Sequence, residues 1–242
     1  MPLTATNLPK LADELERAED LQMLWSSMVR FFRDVGFGGI SYSVFSRGRP
    51  GEVSVLLADG IPEHVHQGFI DLGYGRYDVS FNYALATGRP SLRSRTVSET
   101  ILTPEEREHH LGREALNYGD TLALPVFGPN NYVGVLSLGM PVEPGLFEQV
   151  NWLELHMAAL GAHLKGLELQ GSFRSEPHTL SEREVQVLCW VAQGKSNAVI
   201  SEILSIANGT VDTYLRRIFE KLNVTDRTSA AVKGVSMGLI RI

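Results

Sequence analysis

The spacing of hydrophobic residues changes several times along the chain, and each change predicts a different element. Near the start, hydrophobic side chains recur every three or four residues up to the glycine-rich segment 36–39, which predicts one amphipathic helix ending there. Between residues 61 and 88 the pattern is mixed and predicts helices around a tyrosine-rich loop. The first predicted buried stripe consists of Leu11, Leu15, Ala18, Leu21, Leu24 and Met28.

Four short runs are rich in the β-branched and aromatic residues typical of strands. Two cover residues 40–46 and 52–58, joined by the turn-like RGRPG, and two cover residues 121–128 and 132–139, joined by Pro129–Asn130–Asn131. The second pair has the pattern of a hairpin. Because the strands are grouped between helices, we predict an α+β fold, an α-β-α sandwich with an antiparallel sheet rather than a doubly wound one.

Seven hydrophobic residues after Pro144 follow one another at alternating spacings of four and three. This is the heptad pattern of a helix with a continuous hydrophobic seam. Two interpretations stay open: the helix packs on the sheet of its own chain, or the seam joins two copies of the chain, leaving Trp152 for the contact within each copy. The predicted dimerisation residues are Leu146, Val150, Leu153, Met157, Leu160, Leu164 and Leu167.

The C-terminal pattern predicts a bundle of four short helices. Thr179 or Ser181 can cap the first helix, and Ser196 or Asn197 can cap the second. The fourth helix runs from Thr228 to about Met237. The predicted buried stripes are Val185, Leu188, Val191 and Ala192 in the first helix and Val199, Ile200, Ile203 and Leu204 in the second.

The third helix, from about Thr210 to Leu222, separates its side chains by chemistry. One face is hydrophobic, and the opposite face carries hydroxyl and guanidinium groups. A short helix, a tight turn and a second helix of this kind form the arrangement that places a recognition helix in the major groove of DNA. The hydrophobic face consists of Val211, Leu215, Ile218 and Leu222.

The polar face of this bundle suggests specific DNA contacts. Arg216 or Arg217 can pair bidentately with guanine, and Thr213 can touch a thymine methyl group or a phosphate. A bundle with a solvated charged face is the alternative for any single helix, but the set of spacings favours binding to double-stranded DNA. The predicted DNA-binding residues are Lys195, Ser196, Thr210, Thr213, Arg216 and Arg217.

Charge and composition refine this picture. The chain has a formal net charge of −6, yet residues 176–242 hold 8 Lys and Arg against 7 Asp and Glu. Because affinity for the DNA backbone grows with the number of phosphates neutralised, one copy of this part should bind weakly and two copies are needed. We therefore expect a homodimer on a pseudo-palindromic operator. The expected domains are 1–168 for sensing and dimerisation, 169–178 as a linker and 179–242 for DNA binding.

Several other classes of protein are not expected. No run approaches the roughly 18 apolar residues of a membrane span, and the start lacks the pattern of a secretory signal. Cys189 stands alone inside an apolar helical pattern, which fits a buried packing residue in a reducing cytoplasm. No catalytic motif is present, and the pairs His64–His66 and His109–His110 lack the spacing of metal ligands. We expect no enzyme activity, no metal and no cofactor.

The C-terminal pattern closely resembles the LuxR-type, or GerE-like, DNA-binding domain over about 60 residues. The match includes Gly194-Lys195-Ser196, Thr210-Val211 and Lys221-Leu222. One position departs from the family: Asp212 stands where many members have a basic residue, so it must face away from the phosphates or tune base preference.

The N-terminal part resembles the autoinducer-binding domain of quorum-sensing regulators, whose family fold holds an acyl-homoserine lactone. The resemblance is carried by the segments GFGGISYSVF, FIDLGYGRYDVSFNYA and ALNYGDTLALPVFGPNNYVGVLSL. A phosphorylated receiver is not expected, because the chain begins with a helix and lacks an acidic pair after a first strand. The resemblance implies ligand-binding roles for Val65, Phe69, Tyr74, Asp78, Arg93, Thr121 and Ser137.

The implied pocket departs from the family at its aromatic positions. Asp78 matches the family aspartate that accepts the ligand amide N–H, but Val65 and Arg93 stand where tryptophans are expected and Phe69 where a tyrosine is expected. Each lost donor should weaken lactone binding roughly tenfold, at about 1 kcal/mol per net hydrogen bond, although a long acyl chain can compensate. Arg93 is either solvated or able to pair with an anionic ligand.

The sequence leaves three functions open. The chain is a regulator that binds an acyl-homoserine lactone or related molecule in a non-standard pocket, a regulator that needs no ligand, or a partner that antagonises another regulator by forming heterodimers. A polar recognition face argues against the last, because Arg216 and Arg217 would have no reason to be exposed together.

Overall fold

The computed structural model describes residues 7–45, 53–73, 75–129, 132–171 and 180–240. The chain divides into two compact units, whose described residues include 7–128 with 132–171 in the first and 180–240 in the second. The predicted linker begins inside a helix that ends at Leu169, and its residues 172–178 lie outside the described residues.

Two helices replace the single helix predicted at the start of the chain. Helix α1 spans Leu8–Arg17 and helix α2 spans Leu21–Val35. Asp20 divides them, because its carboxylate accepts a hydrogen bond from the backbone N–H of Met23 and so caps α2. The prediction of one continuous helix is therefore wrong, although its buried stripe is largely retained.

Five strands of the first unit form one antiparallel sheet in the order β2-β1-β5-β4-β3. The predicted hairpin is confirmed by the pairing of β4 with β5, and the fold class is confirmed by helices on both faces. The connection RGRPG and residues 130–131 lie outside the described residues. The strands are β1 (Phe37–Phe45), β2 (Val53–Asp59), β3 (Ser91–Leu92), β4 (Thr121–Phe127) and β5 (Val133–Pro141).

The two faces of this sheet bury different residues, because successive side chains of a strand point to opposite sides. On one face, Ile40 and Leu136 join a core with α1, α2 and the long helix that follows the sheet. On the other face, Ala123 and Val135 pack against two helices that follow β2. The helices between β2 and β4 are α3 (Glu63–Asp71), α4 (Val79–Thr87), α5 (Arg93–Glu99) and α6 (Pro104–Ala115).

The predicted heptad helix is interrupted near its start. Helix α7 spans Leu146–Gln149, and helix α8 spans Trp152–Leu169. The side chain of Asn151 accepts hydrogen bonds from the backbone of Leu153 and Glu154, which starts a new helix at that point.

Four helices form the second unit, as predicted. Ser181 caps α9 in a reciprocal capping box with Glu184, while Thr179 lies outside the described residues. Val199 and Ile203 were predicted to be buried but are exposed, and Ile200 alone of that stripe is fully buried. The helices are α9 (Glu182–Ala192), α10 (Asn197–Leu204), α11 (Asn208–Leu222) and α12 (Arg227–Ser236).

Among the described residues, no helix combines the length and the hydropathy needed to cross a membrane.

Candidate functional site

Helix α11 separates a buried face from a polar one. Its four predicted hydrophobic residues are buried in the core of the second unit. Arg216 and Arg217 are exposed, and neither guanidinium forms an ion pair with another residue in the described part of the chain. The hydroxyl of Thr213, which is half-buried, donates to the backbone oxygen of Gly209 at 3.0 Å, and Thr210 is half-buried in the first turn. The two arginines are therefore the side chains of this face best placed to meet a ligand.

The start of α10 adds two polar residues from the predicted set. Ser196 caps this helix, since its Oγ accepts from the backbone N–H of Val199 at 3.4 Å. Lys195 is exposed, and its backbone oxygen accepts from the guanidinium of Arg227 at 2.5 Å. The N-terminus of α10 therefore presents a cation beside backbone N–H groups, which suits an anion such as a phosphate.

Asp212 has a partner that the sequence did not reveal. The side-chain amide of Asn197 donates to Asp212 Oδ1 at 2.6 Å, which joins the start of α10 to the first turns of α11. Both residues were visible in the sequence, but nothing in their spacing indicated that the turn between the helices would bring them together.

Lys221 serves the fold of the second unit. Its ammonium lies 2.6 Å from Glu184 Oε2, and the Glu184 side chain is 3% exposed. Burial alone would raise the pKa of Glu184, but Lys221 and the Ser181 cap together hold it below its usual range. The pair therefore links α9 to α11 and stabilises the position of the recognition helix.

The predicted ligand pocket is built around the carboxylate of Asp78, which is buried at the N-terminus of α4. Its Oδ1 accepts from the backbone N–H groups of Ser80 and Phe81 at 3.0 and 3.1 Å and from the Ser80 hydroxyl at 2.5 Å. These contacts fix the orientation of the carboxylate. They also leave Oδ2 as the oxygen that faces the pocket's charged neighbour.

That neighbour is Arg113 of α6, which sequence reasoning missed. Its Nη1 lies 3.6 Å from Asp78 Oδ2, and its Nη2 donates to the Thr121 hydroxyl at 3.2 Å. The guanidinium carbon lies 4.3 Å from the centre of the Phe69 ring, which is the geometry of a cation–π contact. The signal available in the sequence was the spacing of His109 and Arg113, which places both on one face of a helix.

Burial and charge act against each other in this pocket. Burial alone would raise the pKa of Asp78, but Arg113, the Ser80 hydroxyl and other neighbours hold it below its usual range. His109 is buried beside them. Burial lowers the pKa of His109 more than the Asp78 charge raises it, so the imidazole is neutral at pH 7. The site therefore contains one compensated ion pair and a neutral histidine.

Little free space remains in this pocket. The cavity is about 10 Å³, which is room for roughly one water molecule, and Arg113 is among the residues that line it. Its other lining side chains include Ser41 and Ser137, which lie opposite each other on β1 and β5. A ligand larger than water therefore requires side chains that line this pocket to move.

The other predicted ligand residues fall in several places. Val65 is buried in the cluster with α4 and does not line the cavity, and Tyr74 lies outside the described residues. Thr121 holds Arg113 instead of lining the cavity. Arg93 is buried and bound to Glu114 and to His110, so the interpretation that it is solvated is wrong.

The predicted dimerisation seam separates into a buried and an exposed part. Leu146, Val150 and Leu167 are at least 93% buried within the chain itself, so they are corrected to core residues. The break before α8 interrupts the seam between Val150 and Leu153. Three seam residues of α8 are exposed, with Leu153 and Met157 65% and 55% exposed; the exposed stripe consists of Leu153, Met157 and Leu164, with the half-buried Leu160 between them.

Comparisons with known protein families match both units. Residues 20–165 match the family described as the autoinducer binding domain, and residues 178–233 match the bacterial regulatory proteins of the luxR family. The first match covers more than half of the chain.

Individual proteins give the same result. The quorum-sensing regulator RhlR of Pseudomonas aeruginosa is 28% identical over 95% of both chains. The transcriptional regulator y4qH of Sinorhizobium fredii is 30% identical over 141 residues, which are 57% of this chain and 43% of that protein. The chain thus spans less than half the length of y4qH but nearly all of RhlR.

The solved structure of SdiA from Escherichia coli in complex with octanoyl-rac-glycerol has a similar fold. It superimposes with a TM-score of 0.70 at 17% identity, over 97% of this chain and 96% of SdiA.

Proposed function

The chain belongs to the autoinducer-binding LuxR family of bacterial transcriptional regulators, and from this premise we propose how it binds DNA and which ligand it senses. We propose that it binds a pseudo-palindromic operator as a homodimer, and that an acyl-homoserine lactone or a related small molecule bound beside Asp78 controls this binding.

The observation that carries the DNA-binding proposal is the polar face of α11. Arg216 and Arg217 are exposed on the side opposite to the buried stripe, while Lys195 and Ser196 mark the N-terminus of α10. In a helix-turn-helix, the second helix reads base edges and the first contacts the backbone. We therefore assign base contacts to the arginines and phosphate contacts to Lys195 and Ser196.

A gel-shift series on a palindromic promoter site tests this assignment. Arg216→Ala and Arg217→Ala should each weaken operator binding by about 1–3 kcal/mol and relax base preference, because a bidentate contact to guanine is lost. Lys195→Ala should weaken binding to specific and random DNA alike and reduce the salt dependence. Lys233→Ala in α12 is the matched control with the same charge change. Unchanged operator affinity in the Arg216→Ala/Arg217→Ala protein would contradict the proposal.

The dimer proposal is supported by the exposed stripe on α8. Leu153 and Met157 are hydrophobic side chains in contact with solvent on a helix whose other side is buried. Two such stripes from two copies bury each other, and the dimer places two recognition helices about one turn of DNA apart. The double variant Leu153→Glu/Met157→Glu should sediment as a monomer at concentrations where the original chain sediments as a dimer.

The ligand proposal rests on the second carboxylate oxygen of Asp78, which faces Arg113. Oδ1 is occupied by the N-terminus of α4, so Oδ2 is the acceptor available to a ligand amide N–H. The donors lost at Val65 and Phe69 have a replacement in Arg113, whose guanidinium can donate to a ligand carbonyl. Because the cavity beside Asp78 is about 10 Å³, entry of such a ligand requires the lining side chains, Arg113 among them, to move.

Calorimetric titration with acyl-homoserine lactones of increasing chain length tests the ligand proposal. We expect long-chain lactones to bind more tightly than short ones, because each buried methylene adds about 0.8 kcal/mol while opening the pocket has a constant cost. Asp78→Asn should weaken binding about tenfold or more, since the acceptor loses its charge. Equal affinity of Asp78→Asn and the original protein would place the ligand elsewhere.

A further inference from the structure

A second and much larger cavity lies on the sheet face opposite to the Asp78 pocket. Its volume is about 300 Å³, within the range of small-molecule sites, and it is lined from α2, β1, β2 and α8. Side chains alternate along β1, so Tyr42 and Val44 face this cavity, whereas the preceding residue, Ser41, faces the Asp78 pocket. We propose that this cavity is a ligand site of its own, for an uncharged and mostly apolar small molecule.

The lining of the cavity selects against charge. None of the described residues that line it is Asp, Glu, Lys or Arg, and most are aliphatic or aromatic, with Leu24, Trp25 and Met28 contributed by α2. A charged ligand would lose its hydration without gaining a counter-ion, which costs several kcal/mol. The Asp78 pocket, with its buried ion pair, has the opposite character.

Two of the polar side chains in this lining form a pair. The Tyr42 hydroxyl lies 2.6 Å from Nδ1 of His163, whose side chain belongs to α8 and is buried. Burial of the ring lowers the pKa of His163 to about 4, against an opposing effect of the Tyr132 backbone, and burial raises the pKa of Tyr42. Both groups are therefore neutral at pH 7.

The histidine is held by the protein on both sides. Its Nδ1 meets the Tyr42 hydroxyl, and a hydrogen bond with the Tyr132 backbone raises the pKa of the ring against the effect of burial. Nε2 is enclosed by the protein. The pair therefore offers a ligand no charge, and the contacts available in the cavity are mostly apolar.

The cavity is separate from the proposed dimer surface. Leu153, Met157, Leu160 and Leu164 point away from it and contribute nothing to its lining. At its rim, Leu21 and Leu57 are partly exposed, which gives an apolar entrance from solvent. These features favour a small molecule that enters from solvent over a second copy of the chain.

Two dyes with the same ring skeleton test the proposal on the full-length protein. N-phenyl-1-naphthylamine is uncharged, and 1-anilinonaphthalene-8-sulfonate carries one sulfonate. Fluorescence titration should show one site per chain for the uncharged dye, with at least tenfold weaker binding of the sulfonate. Occupancy should also raise the melting temperature. Equal affinity for the two dyes would overturn the proposal, and this measurement depends on no variant.

A pair of glycine variants in α8 identifies the location. A Cβ added at Gly166 would meet Leu24 at 3.4 Å, so Gly166→Leu extends a side chain into the cavity, which Gly166 lines. A Cβ added at Gly161 would meet Leu15 at the same distance, but Gly161 does not line the cavity. Gly166→Leu should weaken binding of the uncharged dye at least tenfold, and Gly161→Leu should leave it within twofold. A folded Gly166→Leu protein with unchanged dye affinity would overturn the proposal.

Discussion

The two faces of the sheet solve the problem of buried polar groups in opposite ways. On the Asp78 face, a carboxylate and a guanidinium are both buried, and the cavity beside them is only about 10 Å³. On the Tyr42 face, the polar groups are neutral and a cavity of about 300 Å³ stays open beside them.

This difference shows how the charge of a buried group affects the free volume beside it. A buried charge requires a partner, and the partner occupies volume. A neutral pair such as Tyr42 and His163 satisfies itself within one hydrogen bond and leaves volume for a ligand. The face that carries the predicted ligand residue Asp78 therefore has little free volume, whereas the other face has a cavity of about 300 Å³.

The largest effect is expected from removing the cation of the Asp78 face. Arg113→Met should lower the free energy of unfolding by about 3–5 kcal/mol at pH 7, because it leaves a buried carboxylate without a counter-ion. The deficit should shrink as the pH falls, since protonated Asp78 needs no partner. Urea unfolding across a pH series measures both. The double variant Asp78→Asn/Arg113→Met should recover part of the loss. If the single variant is as stable as the original protein, the ion pair does not control this face.

An intermediate effect is expected from protonating His163, which lies on the Tyr42 face of the sheet. The pKa of His163 is about 4 in the folded chain and about 6.5 in an unfolded one. The unfolded state therefore binds more protons between these values, and stability is full above pH 6.5 and falls as the pH drops towards 4. The loss should approach about 3 kcal/mol at most.

His163→Gln is the reference for this measurement. Asp78 and His109 titrate in both proteins, so the difference between the two stability profiles isolates His163. A constant difference between pH 7 and pH 4 would mean that the ring is not buried in its neutral form.

The smallest effects are expected from replacing one glycine on each side of the sheet with alanine. Gly166→Ala should stabilise the chain by about 0.5–1 kcal/mol, because α8 loses a flexible residue and the new methyl group has room beside Leu24. Gly68→Ala in α3 should destabilise it by about 1 kcal/mol or more, because the methyl group would come within 2.3 Å of Leu116. Thermal unfolding of both variants gives the sign of each change in melting temperature. Two changes of equal sign would contradict the expected difference in packing between the two faces.

Much of the helix-turn-helix unit was predictable from the sequence. Its buried stripe on α11, the cap at Ser181 and the cap at Ser196 all involve residues within a few positions of each other. Such signals are local, so a linear pattern contains them. The errors were Val199 and Ile203, where a helix of eight residues is too short to bury a full stripe.

For the first unit, the fold class and the order of the elements were predictable from the sequence, but the residues that form its pockets and its exposed stripe were less so. The continuous seam from Leu146 to Leu167 was interrupted by the Asn151 cap, a local signal that the heptad spacing concealed. Arg113 was not identified because its partner Asp78 lies far away in the sequence, and their contact depends on how α6 packs beside the start of α4.

The amino-acid sequence by itself determined four of the strands, the four helices of the second unit, the two-part organisation and the face of α11 that stays polar, because these depend on periodicity and capping between near neighbours. Only the tertiary structure decided where several helices of the first unit begin and end, that Arg113 pairs with Asp78, that His163 pairs with Tyr42 and that a cavity lies beside this second pair. The physical reason is that charge compensation and packing volume belong to groups that are distant in sequence and become neighbours only when the sheet and its helices pack together.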